Sequence, residues 1–315
     1  MGRYKILIGE PKDFSQEVID SLKEISDVTI LPVTKENLKN AFREYDVVWF
    51  RLGFKVDKEV LDGNIKCKII VVPVTGLDHI DVELCKEKGI EIISLKGESE
   101  FLKEIRATAE LTIALTLCLI RKLIPAYNSV IDGKWERDDY RGTEIYGKNV
   151  GIIGVGRLGK ITADYFKAFG ANVAGYDIRD DFPENIKRVR KINKLVENSD
   201  IVTVHVSYNE STRRLIGKEV LNSFKNDAVL INTSRGEVID EVDLLDRLKN
   251  GSIKGAALDV IQNERNVNSN NPLIQYAKSN SNLLLFPHIG GNTFESFEKT
   301  EKFLAEKLSK RLLQS

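Results

Sequence analysis

The chain has 315 residues, of which 42% are hydrophobic and 30% charged, and its 47 basic and 47 acidic side chains balance to a formal net charge of zero. This composition is typical of a globular protein with sizeable cores, and the length predicts about two domains. The charge balance gives no reason to expect a nucleic acid or an anionic membrane as partner.

Residues 1–95 alternate short apolar runs with amphipathic stretches, which predicts βαβ units on a parallel sheet. The predicted strands are 5–8, 28–31, 47–50, 69–72 and 91–93. The predicted helices are 16–25, 35–42 and 81–88, with Thr34 as the N-cap of the second. The N-terminus enters a strand directly and predicts no secretory signal.

A long apolar helix is predicted over 104–123, and its most apolar part, 107–120, contains Glu110 and is too short to span a bilayer. Residues 125–146 have no clean period and carry several aromatic side chains, so we expect an irregular arm. Its aromatic residues favour a subunit contact, and the alternative is a loop folded onto its own domain. The scattered cysteines Cys67, Cys85 and Cys118 predict reduced thiols in a cytoplasmic protein, and no Cys or His cluster predicts a metal site.

From Lys148 onward the alternation resumes, with six predicted strands at 150–153, 172–176, 201–206, 228–233, 254–258 and 282–286. Six strands suit a doubly wound sheet. A last amphipathic helix is predicted over 295–312 and could return to the first domain. The domain prediction is therefore 1–100 plus 293–315, and 101–292.

The glycine motif that follows the strand at 150–153 predicts a dinucleotide site. Gly154, Gly156 and Gly159 form G-x-G-x-x-G between a strand and a helix, and the next strand ends in Asp177. Glycines at these positions allow a tight turn and close approach of a pyrophosphate to the helix start. A carboxylate at 177 is suited to binding both adenosine ribose hydroxyls and repels a 2′-phosphate, which predicts NAD rather than NADP.

Reactive side chains follow three other predicted strands, where ligands of open α/β sheets bind. Arg235 offers a planar fork for a carboxylate. Asp259 is a candidate for holding the nicotinamide carboxamide, and Glu264 for orienting a histidine. His288 follows an apolar strand and precedes two glycines, so we expect it to exchange the proton. His205 also ends a predicted strand, and we expect it either to position a ligand or to pack in the core. His79 is expected to cap or pack near a helix start.

The chain resembles the D-isomer-specific 2-hydroxyacid dehydrogenase family over nearly its whole length. The matching stretches are TGLDHIDVELCKEKGI, ATAELTIAL, GKNVGIIGVGRLG, HVSYNESTR, INTSRGEVID, AALDVIQNE and PHIGGNT. The resemblance implies an NAD-dependent oxidoreductase that interconverts a 2-keto acid and a D-2-hydroxy acid. It also implies a flavodoxin-like substrate domain, a Rossmann-like NAD domain, a cleft between them and a homodimer.

The resemblance also implies residue roles. His288 is the general acid and base, Glu264 orients it, and Arg235 binds the substrate carboxylate. The implied cofactor contacts are Gly154, Gly156, Arg157, Leu158, Asp177, His205, Thr212, Thr233, Ser234, Arg235, Asp259, His288 and Gly290. The implied carboxylate-binding loop is Val74, Thr75 and Gly76.

Two departures from the family pattern leave the substrate open. Ser207 stands where the family usually has proline, and residues 96–108, with Glu104 and Ala107, differ from the usual segment before A-E. Arg51 and Arg106 are candidates for adding positive charge that favours a doubly anionic 2-keto acid, and the alternative is that both are surface or ion-paired arginines.

Three other functions remain open from the sequence. The first is an NAD(H)-binding regulatory protein of the same fold without turnover, since fold does not fix activity. The second is another Rossmann enzyme such as a methyltransferase, and the third is a family relative acting on formate or phosphite.

Overall fold

The computed structural model describes residues 3–314, which divide into two compact units. The first unit contains residues up to Glu104 and from Thr293 onward, and the second contains Ile105–Asn292. The first boundary follows residue 104 rather than residue 100 because Phe101–Glu104 forms a 3-10 turn that belongs to the first unit. The Phe101 ring stacks on Phe303 there, with 4.0 Å between ring centroids.

The first unit is built on a five-stranded parallel sheet with the order β2-β1-β3-β4-β5, formed by β1 (Lys5–Ile8), β2 (Asp27–Ile30), β3 (Val47–Trp49), β4 (Ile69–Val72) and β5 (Glu91–Ser94). This is the flavodoxin-like order that the family resemblance implies. The helices between these strands are α1 (Gln16–Ile25), α2 (Leu38–Glu44) and α3 (Val82–Glu87). The predicted start of the second helix is wrong: the Asn37 side chain accepts the Thr34 N–H at 2.7 Å, so Thr34 belongs to a turn before the helix.

The second unit is built on a seven-stranded parallel sheet, formed by β6 (Asn149–Ile153), β7 (Asn172–Tyr176), β8 (Lys187–Arg188), β9 (Ile201–Val204), β10 (Val229–Asn232), β11 (Gly255–Leu258) and β12 (Leu283–Leu285). The order is β12-β11-β10-β9-β6-β7-β8. The strand order reverses between β6 and β9, which is where a doubly wound sheet binds its ligand. The sequence missed β8, which has only two residues, both charged.

Seven helices belong to the second unit: α4 (Ala107–Ile120), α5 (Leu123–Ile131), α6 (Arg157–Ala168), α7 (Ile192–Glu197), α8 (Lys218–Asn222), α9 (Glu241–Lys249) and α10 (Pro272–Ala277). The long predicted helix is split, because Lys122 adopts a left-handed φ of 53°. The predicted irregular arm is therefore wrong over residues 125–131, which belong to helix α5.

Alternate residues of the second sheet pack into two separate cores. Val202, Leu230 and Ala256 belong to one core, and Ile201, Val229 and Ala257 to the other. Because successive side chains of a strand point to opposite faces, the sheet is covered on both sides, as expected for parallel strands. The α/β prediction with two parallel-sheet domains is confirmed.

The last helix, α11 (Phe294–Leu313), belongs to the first unit. Thr293 caps its start by accepting the Ser296 N–H at 3.2 Å. Leu304, Leu308 and Leu312 lie on its buried face at a spacing of four residues. Within residues 3–314, no helix combines the length and the apolarity that a membrane crossing requires.

Candidate active site

The candidate catalytic residues of the second unit lie just beyond three neighbouring strands. Arg235 follows β10, Glu264 follows β11 and His288 follows β12. These strands are adjacent in the sheet and parallel, so their carboxyl ends lie side by side.

His288 and Glu264 form a direct pair. His288 Nδ1 lies 2.6 Å from Glu264 Oε1, and both side chains are largely but not fully buried. A carboxylate only accepts hydrogen bonds, so the imidazole hydrogen lies on Nδ1 and the Nε2 atom is left for exchange with a ligand. The pair has the base-and-orienter arrangement that proton-transfer sites use.

Asp259 holds the backbone that carries His288. Its two carboxylate oxygens accept the N–H groups of Ile289 and Gly290, each at 2.8 Å, and its carbonyl accepts the His288 N–H at 2.8 Å. His288 has a left-handed φ of 54°, an unfavourable conformation that these three hydrogen bonds maintain. Asp259 is 1% exposed, and burial raises the pKa of its carboxyl although the two N–H groups oppose that shift. The carboxylate of Asp259 therefore positions the loop of His288, and its contact with the nicotinamide carboxamide stays a prediction.

The turn that carries Arg235 is organised by Asn232, a residue that the sequence did not predict as part of the site. The Asn232 side chain donates to the Arg235 carbonyl at 2.9 Å and accepts the Ser234 N–H at 3.0 Å. Asn232 is fully buried at the last position of β10, where a side-chain amide can close the turn that follows. Ser234 Oγ donates to the Val206 carbonyl at 2.8 Å, and Thr233 Oγ1 lies 2.9 Å from Thr112 Oγ1 of α4. These contacts fix the backbone on both sides of the arginine.

The loops after β10 and β11 touch at Gly236. A Cβ at this position would lie 2.0 Å from the Ile261 carbonyl carbon and 2.3 Å from the Gln262 nitrogen. Only a residue without a side chain permits this approach. The contact couples the loop of Arg235 to the loop of Glu264.

The glycine turn between β6 and α6 has the shape that a dinucleotide needs. Gly154 has φ +89°, and a Cβ there would lie 2.8 Å from the His205 carbonyl group. Gly156 precedes the helix with no side-chain cap, and the only atom near its Cβ position is the end of an arginine side chain, at 3.6 Å. The residues therefore fit a pyrophosphate approaching the α6 N-terminus. Arg157, the first residue of this helix, directs Nη1 to the Ile105 carbonyl at 2.6 Å, and Leu158 is half-buried beside it.

Asp177 lies at the end of β7, beside that turn. Its Oδ2 accepts the Val155 N–H at 2.8 Å, and its Oδ1 accepts the backbone N–H of Arg179 at 2.9 Å. The Arg179 guanidinium also binds both oxygens. Burial raises the pKa of Asp177, but the hydrogen bonds and the charge of Arg179 outweigh burial and leave the pKa below its usual value.

Two further predicted cofactor residues are engaged in local contacts. His205 Nε2 lies 3.1 Å from Thr203 Oγ1, and burial lowers the pKa of His205 to about 3, so the imidazole is neutral at physiological pH. Thr212 Oγ1 donates to the Ser207 carbonyl and accepts the Asn209 N–H, each at 2.8 Å. Both residues shape loops that follow β9.

In the first unit, the predicted carboxylate-binding loop follows β4. The Val74 N–H donates to the Val72 carbonyl at 2.9 Å, so it takes part in a tight turn, and its contact with a substrate carboxylate stays a prediction. Thr75 is exposed and Gly76 half-buried.

Arg51 is an ion-paired residue of the first unit. Its Nη2 lies 2.8 Å from Glu301 Oε1, its Nη1 donates to the Lys12 carbonyl at 3.0 Å, and its guanidinium carbon lies 4.1 Å from the centre of the Phe297 ring. Glu301 is 1% exposed and compensates the charge of Arg51. The structure therefore favours the ion-paired alternative for Arg51, whose pair with Glu301 holds α11.

Comparison with known proteins places this geometry in a family. Residues 113–290 match the profile of the "D-isomer specific 2-hydroxyacid dehydrogenase, NAD binding domain". The chain is 36% identical over 313 residues to a D-3-phosphoglycerate dehydrogenase of Methanocaldococcus jannaschii, covering 98% of this chain and 57% of that protein. The chain thus spans little more than half the length of that relative.

Two other relatives match the chain over nearly their full length. A hydroxypyruvate reductase of Thermotoga maritima is 32% identical, with 99% of each protein covered. The structure of a D-lactate dehydrogenase from Aquifex aeolicus complexed with NAD and lactic acid superposes with a TM-score of 0.84 at 26% identity, covering 97% of this chain and 94% of that one. The chain belongs to the D-isomer-specific 2-hydroxyacid dehydrogenase family of NAD-dependent oxidoreductases, and its second unit is the NAD-binding domain.

Proposed function

We propose that this protein catalyses the reversible reduction of a 2-keto acid to a D-2-hydroxy acid with NADH. The observation that carries the proposal is the His288–Glu264 pair at 2.6 Å, on strand ends of a domain whose glycine turn fits a dinucleotide. A regulatory protein that only binds NAD(H) has no need of a histidine held by a carboxylate at this place.

The proton in this reaction comes from His288. When bound, NADH would supply the hydride that reduces the carbonyl carbon of the substrate. His288 gives its Nε2 proton to the carbonyl oxygen as that oxygen gains negative charge, and takes the proton back from the hydroxyl group in the oxidation. Glu264 accepts from Nδ1 throughout, so it fixes the ring orientation and stabilises the positive charge that His288 carries before donation.

Arg235 is the residue we assign to the substrate carboxylate. A guanidinium binds a carboxylate through two parallel hydrogen bonds, which orients the neighbouring carbonyl as well as holding the acid. The N–H groups of Val74, Thr75 and Gly76 are proposed to add to this binding. For the cofactor, we assign the residues that the sequence analysis gave, with Gly290 held in place by Asp259. They are Gly154, Gly156, Arg157, Leu158, Asp177, His205, Thr212, Thr233, Ser234, Arg235, Asp259, His288 and Gly290.

The substrate is to be identified by a screen. Purified protein with NADH is offered pyruvate, glyoxylate, hydroxypyruvate and longer or phosphorylated 2-keto acids, and in the oxidising direction NAD with D-3-phosphoglycerate, while absorbance of NADH is followed. We expect turnover of at least one compound and a D-configured product. Binding of NADH without turnover of any 2-keto acid would refute the proposal and favour a regulatory protein.

Arg106 remains the candidate for recognising a second negative charge on the substrate. It is exposed immediately before α4. If Arg106→Ala leaves kcat/KM unchanged on the best substrate found, this role is excluded.

We also propose a homodimer and a cytoplasmic location. Helix α5 and the segment after it expose large apolar side chains to an extent unusual for a monomer surface, namely Leu123, Ile124, Tyr127, Val130, Ile131 and Trp135. Light scattering should give the mass of two chains, and Ile131→Glu should reduce it to one. The three cysteines are free thiols, two of them buried, which suits a reducing compartment.

A further inference from the structure

In the turn that follows β7, the Arg179 side chain contacts the carboxylate of Asp177, which is the group assigned to the adenosine ribose. Arg179 Nε lies 3.0 Å from Asp177 Oδ1, and Arg179 Nη2 lies 3.0 Å from Asp177 Oδ2. The same Nη2 donates to the Val155 carbonyl at 3.1 Å. The arginine is therefore fixed on the glycine turn and on the acid at once.

Arg179 is the outer member of this pair. Its side chain is 47% exposed, whereas that of Asp177 is 10% exposed. A ligand that approaches the acid from solvent thus meets the guanidinium as well. The nearest atom to the Cβ position of Gly156 is Arg179 Nη2, at 3.6 Å, which places the positive charge close to the turn that fits the pyrophosphate.

A second arginine holds the backbone of the turn. Arg188 Nη2 donates to the carbonyl groups of Asp177 at 3.4 Å and Arg179 at 2.6 Å, and its guanidinium carbon lies 5.1 Å from the centre of the Phe182 ring. These contacts fix the main chain of the turn, so the Arg179 side chain can exchange one anionic partner for another while its backbone stays in place.

An acid at this position normally excludes NADP because it repels the 2′-phosphate, and a nearby arginine normally accommodates that group. This chain has both, with the arginine neutralising the acid. We propose that Arg179 determines the coenzyme range of this protein and allows the site to bind the 2′-phosphate of NADP(H) as well as the free ribose of NAD(H). The inference rests on the proposed function only in that the glycine turn binds a dinucleotide.

The contribution of the 2′-phosphate to binding can be measured with two pairs of ligands that differ only in this group. Calorimetric titration at low ionic strength compares 5′-AMP with adenosine 2′,5′-bisphosphate, and NADH with NADPH. For the unaltered protein we expect each 2′-phosphorylated ligand to bind within about tenfold of its counterpart. Arg179→Met should weaken the bisphosphate and NADPH by about 10- to 100-fold, the value of a lost charge-assisted contact, and leave 5′-AMP and NADH unchanged or tighter because Asp177 is freed.

The matched control is Arg190→Met, which removes the same charge from an exposed position of the same segment. It should leave all four affinities unchanged. Arg179→Lys is a second variant that keeps the charge but not the planar fork, and it should retain part of the bisphosphate affinity.

The inference is overturned if the unaltered protein binds NADH and 5′-AMP but binds the 2′-phosphorylated ligands more than about tenfold more weakly. It is also overturned if the Met variants of Arg179 and Arg190 behave alike. Failure of all four ligands to bind would overturn the proposed function together with this inference, whereas selective loss of the 2′-phosphorylated ligands leaves the proposed function intact.

Discussion

Replacing Gly236 with alanine should disturb the loops that carry Arg235 and Glu264 without changing either side chain. The alanine Cβ would lie 2.0 Å from the Ile261 carbonyl carbon, whereas ordinary contact begins at 3.4 Å, so the two loops must separate by about 1.4 Å, the difference between these distances. Both contacted groups are backbone, so no rotamer change can relieve the clash. The backbone φ of Gly236 lies outside the left-handed region, so the cost is steric and does not come from conformation.

The displacement acts on the Glu264–His288 hydrogen bond. Ile261 and Gln262 lie just before Glu264, and the hydrogen bond of 2.6 Å does not survive a separation of more than 1 Å. We expect a loss of about 1–3 kcal/mol in the free energy of unfolding, as for other overpacked sites. Turnover should fall by about a hundredfold, the usual effect of a misplacement of this size.

The assay combines urea denaturation with NADH oxidation on the best substrate. Gly291→Ala is the control for stability, because a Cβ there meets no atom within 4 Å and the φ of Gly291 is also outside the left-handed region. It should change the free energy of unfolding by less than about 1 kcal/mol. If Gly236→Ala retains both the stability and the turnover of the unaltered protein, the coupling of the two loops is refuted.

Three other substitutions test neighbouring parts of the site. Glu264→Gln should lower kcat by about 10- to 100-fold and leave the calorimetric affinity for NADH intact, because it removes a charge-assisted hydrogen bond from His288 alone; an unchanged kcat would contradict the role of the pair. Asp259→Asn should reduce the free energy of unfolding by about 2 kcal/mol in urea, since one of the two backbone N–H groups then faces a side-chain N–H group, and an unchanged value would contradict the positioning role. Burial, with the charges of Glu237 and Asp240 adding to it, raises the pKa of Glu241 to about 7, although the Gln262 N–H opposes the shift. Between pH 4.5 and pH 7 the folded protein thus binds a proton that the unfolded chain has lost, and stability falls as pH rises through this window. Glu241→Gln should abolish that fall, a gain of up to about 3 kcal/mol at pH 8 relative to pH 4, and parallel pH profiles of the two proteins would contradict it.

Local patterns were sufficient for most of the fold. The run Val150–Ile153, the glycine turn and the strand ending in Asp177 each have a short-range signature, and the structure has them as predicted. The sequence did not reveal β8, because Lys187 and Arg188 form a strand only by pairing with β7. Helix α5 was also missed. It is separated from α4 by Lys122, which has a left-handed backbone conformation. Glycine usually occupies such a position, so a lysine there gives no sign in the sequence that one helix ends and another begins.

Roles that depend on contacts across the fold were harder to predict than residue positions. The sequence indicated that Asp259 and Arg51 follow strands, where ligands bind. It did not indicate that Asp259 is enclosed by the N–H groups of Ile289 and Gly290, because those groups come from the next strand end. Arg51 forms its ion pair with Glu301, which lies 250 residues later in the chain. Such partners become visible only once the sheet order brings the segments together.

We propose that His288 delivers the proton that reduction of the carbonyl group requires, with bound NADH as the source of the hydride. The most direct measurement is the single-turnover rate of NADH oxidation by His288→Asn, with NADH affinity measured in parallel by calorimetry. Asparagine keeps a polar side chain but cannot donate and recover a proton near neutral pH. We predict a rate about 10²–10⁴-fold below that of the unaltered protein, with NADH affinity retained. A variant that binds NADH and turns over at the normal rate would contradict the account.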